Sequence, residues 1–291
     1  MLENYTPTTI DKRLRKEVVK FPEVISVTSG KGGVGKSTLS VNLSILLQQM
    51  KKKVLLIDAD IHLGNIDLLL GLRSEYTIAD IVNHNVQIED AIIEGPGGIH
   101  ILPASSAVSE LLEMEDAALR TLADSFAKYE HNYDIVLIDT GAGISKTVTS
   151  FLLGSDKLLL IVTPDPASIA DAYAVIKVMK KAKPNLPIIM ISNMVKSYEE
   201  GEILFKKMNL MVQKFLVCQV EFGGSLIKDD VVSKSIKRQR PFVIDLPNTA
   251  ASKGLHLLKR KVMSAAASDS DKRNNLFSNF RNNRKISLET E

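Results

Sequence analysis

A chain of 291 residues with 45% hydrophobic side chains can bury one large α/β domain or two small ones, which excludes a disordered protein. A formal charge of +3 carries no global signal for nucleic acid, so an anionic partner has to be met by a local site. A single cysteine, Cys218, excludes a disulfide framework, a cysteine-built zinc site or an iron–sulfur cluster within one chain, and suits a reducing compartment.

Taken in chain order, residues 1–20 are polar and carry Lys12, Arg13, Arg15, Lys16 and Lys20, which reads as a basic arm or short helix. The longest uninterrupted aliphatic run, LLLIV at 158–162, is far too short to span a bilayer, so the expectation is a cytosolic protein. Expected strands are VISVTS (24–29), KVLLID (53–58), IHIL (99–102), DIVLID (134–139), KLLLIVT (157–163), PIIMIS (187–192) and FLVCQV (215–220), the last with Cys218 as a small buried hydrophobe. Most are apolar on both faces, as central strands of a helix-covered parallel sheet are. Between them, Ser37–Met50, Ala107–Tyr129, Ser168–Lys181 and Ala250–Ala265 repeat apolar residues every three or four positions, as helices do. No repeat of 20–50 residues interrupts the alternation, which specifies a doubly wound, mostly parallel α/β fold over residues 21–266. A linker, SDSDKRN, and a segment NLFSNFRNNRK (275–285) occupy the remaining 267–291.

Residues 29–38, SGKGGVGKST, hold two lysines in one glycine-rich turn. Gly30 to Gly35, Lys36 and Ser37 fit the spacing of a phosphate-binding loop, and the loop follows an expected strand and opens an expected helix. Backbone N–H groups from Gly30, Lys31, Gly32, Gly33, Val34 and Gly35, with the helix start through Thr38, converge there on a polyphosphate. Lys36 would reach the β and γ phosphates of ATP and the Ser37 hydroxyl would ligate Mg²⁺. Asp139 ends one strand, and Asp58 with Asp60 ends another, at the sheet edge where such folds bind ligands. One of Asp58 and Asp60 would order Mg²⁺ waters while the other positions the attacking water.

Lys31 has no task in an ordinary phosphate loop. KGGVGKST resembles the deviant Walker A motif of the MinD/ParA family of dimerising ATPases, shared with the nitrogenase iron protein. The resemblance implies a P-loop fold in which Lys31 crosses to the nucleotide of a second copy, so that ATP favours a homodimer and hydrolysis releases it. Within the family, DADIHLGNIDLLLGL (58–72), LIDTGAGIS (137–145), TPDPASIADAYAVIK (163–177) and DLPNTAAS (245–252) resemble the flagellar-number regulators of the FlhG/FleN/YlxH type. That resemblance implies a slow, partner-regulated ATPase controlling flagellar number and placement. Its partners would be the signal-recognition-type GTPase of flagellar placement and flagellar switch or transcription-regulator proteins. It also implies that Asp60 positions the hydrolytic water, that Asp58 and Asp139 organise Mg²⁺, and that Asn193 in ISNMV reads the adenine edge.

The N-terminal element IDKRLRK holds Asp11, Leu14 and Arg15 of the branch's partner-activating motif without its glutamine or alanine, leaving an activating arm and a solvated basic arm as alternatives. In the tail, Leu276, Phe277 and Phe280 share one helical side with Arg281 and Lys285 beside them. An amphipathic membrane-targeting helix and a disordered tail both fit that pattern. Two other functions stay open: DNA partitioning of the ParA kind, to which the basic SKSIKRQRP (233–241) is suited unless it is a solvated helix end, and MinD-like control of the division site. His62 reads as a turn residue with no catalytic role, and DTGAGIS (139–145) as the part that moves with the γ phosphate.

Overall fold

The computed structural model describes residues 21–60, 64–83, 86–104 and 115–265. The basic arm, His62 and the 267–291 tail lie outside the described residues. The aliphatic runs become β1 (Glu23–Ser29), β2 (Val54–Ala59), β3 (Ile93–Glu94), β4 (His100–Leu102), β5 (Ile135–Thr140), β6 (Lys157–Val162), β7 (Ile188–Val195) and β8 (Glu221–Ile227). They form a sheet ordered β3-β4-β2-β5-β1-β6-β7-β8, parallel throughout except for the short antiparallel pair β3–β4.

The helices are α1 (Lys36–Gln48), α2 (Ile66–Leu70), α3 (Ile78–Val82), α4 (Ile88–Ala91), α5 (Glu115–Ala127), α6 (Lys146–Gly154), α7 (Pro166–Ala182), α8 (Tyr198–Leu216), α9 (Asp230–Arg238), α10 (Phe242–Asp245) and α11 (Ala250–Ser264). Side chains alternate across the sheet as the pleat requires. Leu137 and Leu159 pack on one face with Leu43, Leu46, Leu255 and Leu258 of α1 and α11. Val136 and Ile138 meet Phe126 and Phe151 on the other face, and Leu158 and Leu160 meet Val175 and Met208 there. Each fully buried aliphatic side chain stabilises by roughly 1.5–3 kcal/mol, so the strand runs that read as apolar on both faces are the bulk of the core. Among the described residues no helix is long and apolar enough to cross a membrane.

One expected strand is corrected. FLVCQV does not enter the sheet: α8 continues through Leu216 and stops at Val217, whose φ of 51° is left-handed. Leu204, Met208 and Val212 recur every four residues and bury one helical stripe, and a six-residue apolar run cannot reveal by itself that it ends such a stripe. Cys218 is accordingly half-buried beside the third core cluster rather than enclosed in a strand. The eighth strand is EFGGSLI instead, where a Cβ on Gly223 would stand 2.8 Å from Ile189. Glycine lets β8 approach β7 and at the same time erases the apolar pattern of a strand.

The amino edge of the sheet is fastened by lysines. Lys157, 1% exposed at the start of β6, has its Nζ 2.8 Å from Glu23 Oε1 and donates to the Val262 carbonyl of α11 at 2.9 Å. Lys183 donates to the Leu153 and Ser155 carbonyls at the end of α6, and Lys180 to those of Pro184 and Leu186. Breaking the Lys157–Glu23 pair strands a buried carboxylate. Lys157→Ala should lower unfolding stability by about 3–5 kcal/mol in urea titrations, and Lys157→Met combined with Glu23→Leu should recover much of that loss.

Candidate functional site

The site is built where β1 ends. At Gly30 the chain passes so close to α7 that an added Cβ would lie 2.3 Å from the Asp171 carbonyl carbon and 2.5 Å from the Ala172 nitrogen. Helix packing therefore sets the first motif glycine. Gly33 and Gly35 have φ of 75° and 89°, a backbone that other residues adopt at a cost. Gly32 needs neither explanation: its φ is not left-handed and a Cβ there would meet nothing within 4 Å. That empty approach is a cradle for a ligand in contact with the backbone itself. α1 starts at Lys36 with no side chain capping it, so its orphan first-turn N–H groups suit an anion.

A cavity of about 680 Å³ opens over this turn, lined by Gly32, Lys36, Ser37, Asp60, Gly141 and Ser145 among others. A second, mostly apolar cavity of about 120 Å³ adjoins it, walled by Thr38, Asn193, Leu226, Asp229 and Leu255. Gly35, Thr38 and Met194 line both. The larger cavity carries the charged side chains Lys36 and Asp60, and the smaller one is the more strongly apolar of the two.

Beneath the larger cavity the parallel register sets Asp58 of β2 directly beside Asp139 of β5. Asp139 is fully buried, with Oδ1 accepting from Ser40 Oγ at 2.9 Å and lying 3.9 Å from Lys36 Nζ. Burial raises its pKa, opposed by Lys36 and by the Ser37 and Ser40 hydroxyls. Its Oδ2 is buried without a hydrogen-bond partner among the described residues. Asp58 accepts from the Asp60 and Ile66 N–H groups at 3.2 and 3.1 Å. Burial, and then the Asp139 charge, push its pKa from 3.8 up to about 7.

These residues fit Mg²⁺. The orphaned Asp139 oxygen and the Ser37 hydroxyl are hard oxygen donors, and among the described residues no three-member His, Cys, Asp and Glu cluster forms a complete metal cage. Mg²⁺ commonly takes one or two carboxylates and leaves its other positions to water and phosphate, so a partial donor set is the expected one.

The remaining expected residues separate into two groups. Gly32, Gly33, Gly35, Lys36, Ser37, Thr38 and Asp60 line the larger cavity, and Asp58 and Asp139 lie beneath it. Val34 is buried, and its carbonyl accepts from Asn193 Nδ2 at 2.7 Å, so Asn193 clamps the phosphate loop while lining the apolar cavity. Lys31 does not line the larger cavity; its Nζ is 3.1 Å from Asp165 Oδ1 at the start of α7. Sequence reasoning missed Ser40, although its place four residues after Lys36 on one helical face was a usable signal. It missed Met194, whose φ of 56° at a register shift in β7 has no sequence signature. Asp165 before a proline marks a helix cap but does not announce its lysine partner.

With Asp58 raised to about 7, the folded chain holds a proton that the unfolded chain has released, across the window from about pH 4 to 7. Stability of the chain without nucleotide or metal should therefore fall as pH rises through that window, by on the order of a few kcal/mol. Thermal unfolding followed from pH 5 to 8 measures the slope, and Asp58→Asn should flatten it.

Residues 22–191 match the AAA domain family model. The antiactivator FleN of Pseudomonas aeruginosa is 36% identical over 240 residues, covering 82% of this chain and 86% of FleN. The flagellum site-determining protein YlxH of Helicobacter pylori is 31% identical over 235 residues, 79% of this chain and 78% of YlxH. Among solved structures, the septum site-determining protein MinD of Pyrococcus horikoshii, complexed with Mg-ADP, superposes with a TM-score of 0.69 at 27% identity, over 84% of this chain and 96% of that one. With its phosphate loop, parallel sheet and buried carboxylate pair, the chain belongs to the MinD/ParA family of P-loop ATPases, close to the FleN and YlxH type.

Proposed function

We propose that this chain is an ATPase that ATP converts from a single to a paired state, and that the switch regulates the number and placement of flagella. One observation carries the pairing: Lys36 lines its own phosphate cavity, whereas Lys31, five residues earlier in the same loop, does not. A lysine beside a polyphosphate site but outside it is suited to a triphosphate brought by another copy, with Lys36 acting in cis and Lys31 in trans. The flagellar role is supported by likeness to FleN and to YlxH, a flagellum site-determining protein.

In this reading Lys36 would neutralise the β and γ phosphates of ATP, and Ser37 with Asp139 would hold Mg²⁺ while Asp58 would order waters beside it. The ion supplies positive charge against the phosphate oxygens. Asp60 orients the attacking water, Asn193 presents its amide to adenine from the apolar cavity, and Gly141 to Ser145 rearrange as the γ phosphate leaves. Loss of that charge weakens the pair and releases partners. The partners are the signal-recognition-type GTPase of flagellar placement and flagellar switch or transcription-regulator proteins, with reversible association at a membrane.

A second reading, DNA partitioning, is supported by Lys234, Lys237, Arg238 and Arg240, all exposed on and just after α9. It requires ATP-dependent binding to non-specific DNA that weakens steeply with salt. Division-site control like that of MinD differs in phenotype rather than in chemistry.

Light scattering with ATP and Mg²⁺ should detect a dimer, and Lys31→Ala should abolish it while changing nucleotide affinity only a few-fold. Asp60→Ala should retain the ATP-bound dimer and lose hydrolysis by about 10²-fold or more, the scale of losing a positioning group. Deleting the gene should alter flagellar count or placement; normal flagella with mis-segregated DNA would favour the second reading.

A further inference from the structure

Lys31 stands outside the phosphate cavity because its ammonium is already engaged. The Asp165 Oδ1 that it meets at 3.1 Å also accepts from the Ala167 and Ser168 N–H groups, at 2.9 and 3.1 Å. The carboxylate is thus held as the cap of α7 whether or not the lysine is present. Gly30 explains why the two residues meet: its missing Cβ lets α7 lie directly on the loop, which brings the start of that helix beside residue 31. Both side chains are a little under half exposed, a setting in which most ion pairs contribute little, partly because two side chains must be ordered. Here one of the two is already ordered. The positive end of a 17-residue helix would otherwise repel an ammonium, and Asp165 reverses the sign of that end. Its carboxyl is held below the usual aspartate range, first by the Ser168 N–H and then by Lys31, so it is charged at neutral pH.

We propose that Asp165 is a positioning residue that retains Lys31 in cis in the single chain, so that two chains can pair only after the Lys31–Asp165 ion pair has broken in each. The inference rests on the ATP-driven pairing put forward above and adds a threshold to it. The ion pair competes with the triphosphate of the second chain for the same ammonium. It thereby opposes chance pairing when ATP is scarce.

Asp165→Asn is the informative variant, since asparagine still caps α7 and removes only the charge. Glu202→Gln, an exposed acid on α8 away from the loop, is the control for a general change of field. Two properties are measured. One is the dimer dissociation constant with ATP and Mg²⁺ by analytical ultracentrifugation. The other is the rate at which an amine-reactive acetylating reagent labels Lys31 in nucleotide-free protein, followed by mass spectrometry.

Since the ion pair opens once in each subunit, Asp165→Asn should tighten pairing by roughly two- to thirtyfold, with the gain shrinking in high salt. It should also speed Lys31 labelling, and Glu202→Gln should do neither. A parent protein that pairs with ATP while Asp165→Asn pairs no better, or worse, overturns the retention role and leaves the dimer reading standing. Unchanged Lys31 labelling overturns the cis ion pair whatever the pairing result. A parent that stays single with ATP overturns both the dimer reading and the threshold.

Discussion

One buried ammonium facing buried carboxylates at the end of the central strands is the constraint on which the site depends. Lys36 and Asp139 are each under a tenth exposed, and Asp58 is tied to Asp139 by strand register rather than by any flexible side chain. Ionic groups in such a place are costly unless they compensate one another, and here the compensation is incomplete, since one Asp139 oxygen has no hydrogen-bond partner among the described residues. The fold tolerates this imbalance because most of the sheet is aliphatic and tightly covered. A hard cation and a polyphosphate would resolve it, and ligand binding and relief of electrostatic strain would then be the same event.

The glycines around that centre divide into those the protein itself needs and those it does not. Gly30 admits α7, and Gly33 and Gly35 take left-handed backbone, so each is explained within one chain. Gly32 is not, and its open surroundings coincide with the cavity mouth. A residue whose identity is unaccounted for by its own fold points to a surface that becomes complete only with something bound.

Much of this was legible in the sequence, and the exceptions share a cause. The strand–loop–helix unit at 24–50, the aspartates at strand ends and the parallel α/β class follow from local pattern, because period and spacing are properties of contiguous residues. Asp58 facing Asp139 depends on register between distant strands, and the Lys31–Asp165 and Asn193–Val34 hydrogen bonds span 134 and 159 residues, so local pattern could not supply them. The strand expected at 215–220 failed for a different reason: a long amphipathic helix ends in a run of strand-like composition, and the true strand, which starts at Glu221, carries two glycines. Positions near a second element were misread where their chemistry served packing rather than periodicity.

The lysine fasteners at the amino edge give the molecule a mechanical polarity. Three ammonium groups tie helix ends and connecting turns together along one rim, while the opposite rim combines tight glycine turns with partly exposed side-chain ties such as Lys31–Asp165 and Asn193–Val34. The architecture is therefore bound like a book along one spine. A molecule docked over the glycine-rich turn could then shift loops there without loosening the strands that carry them.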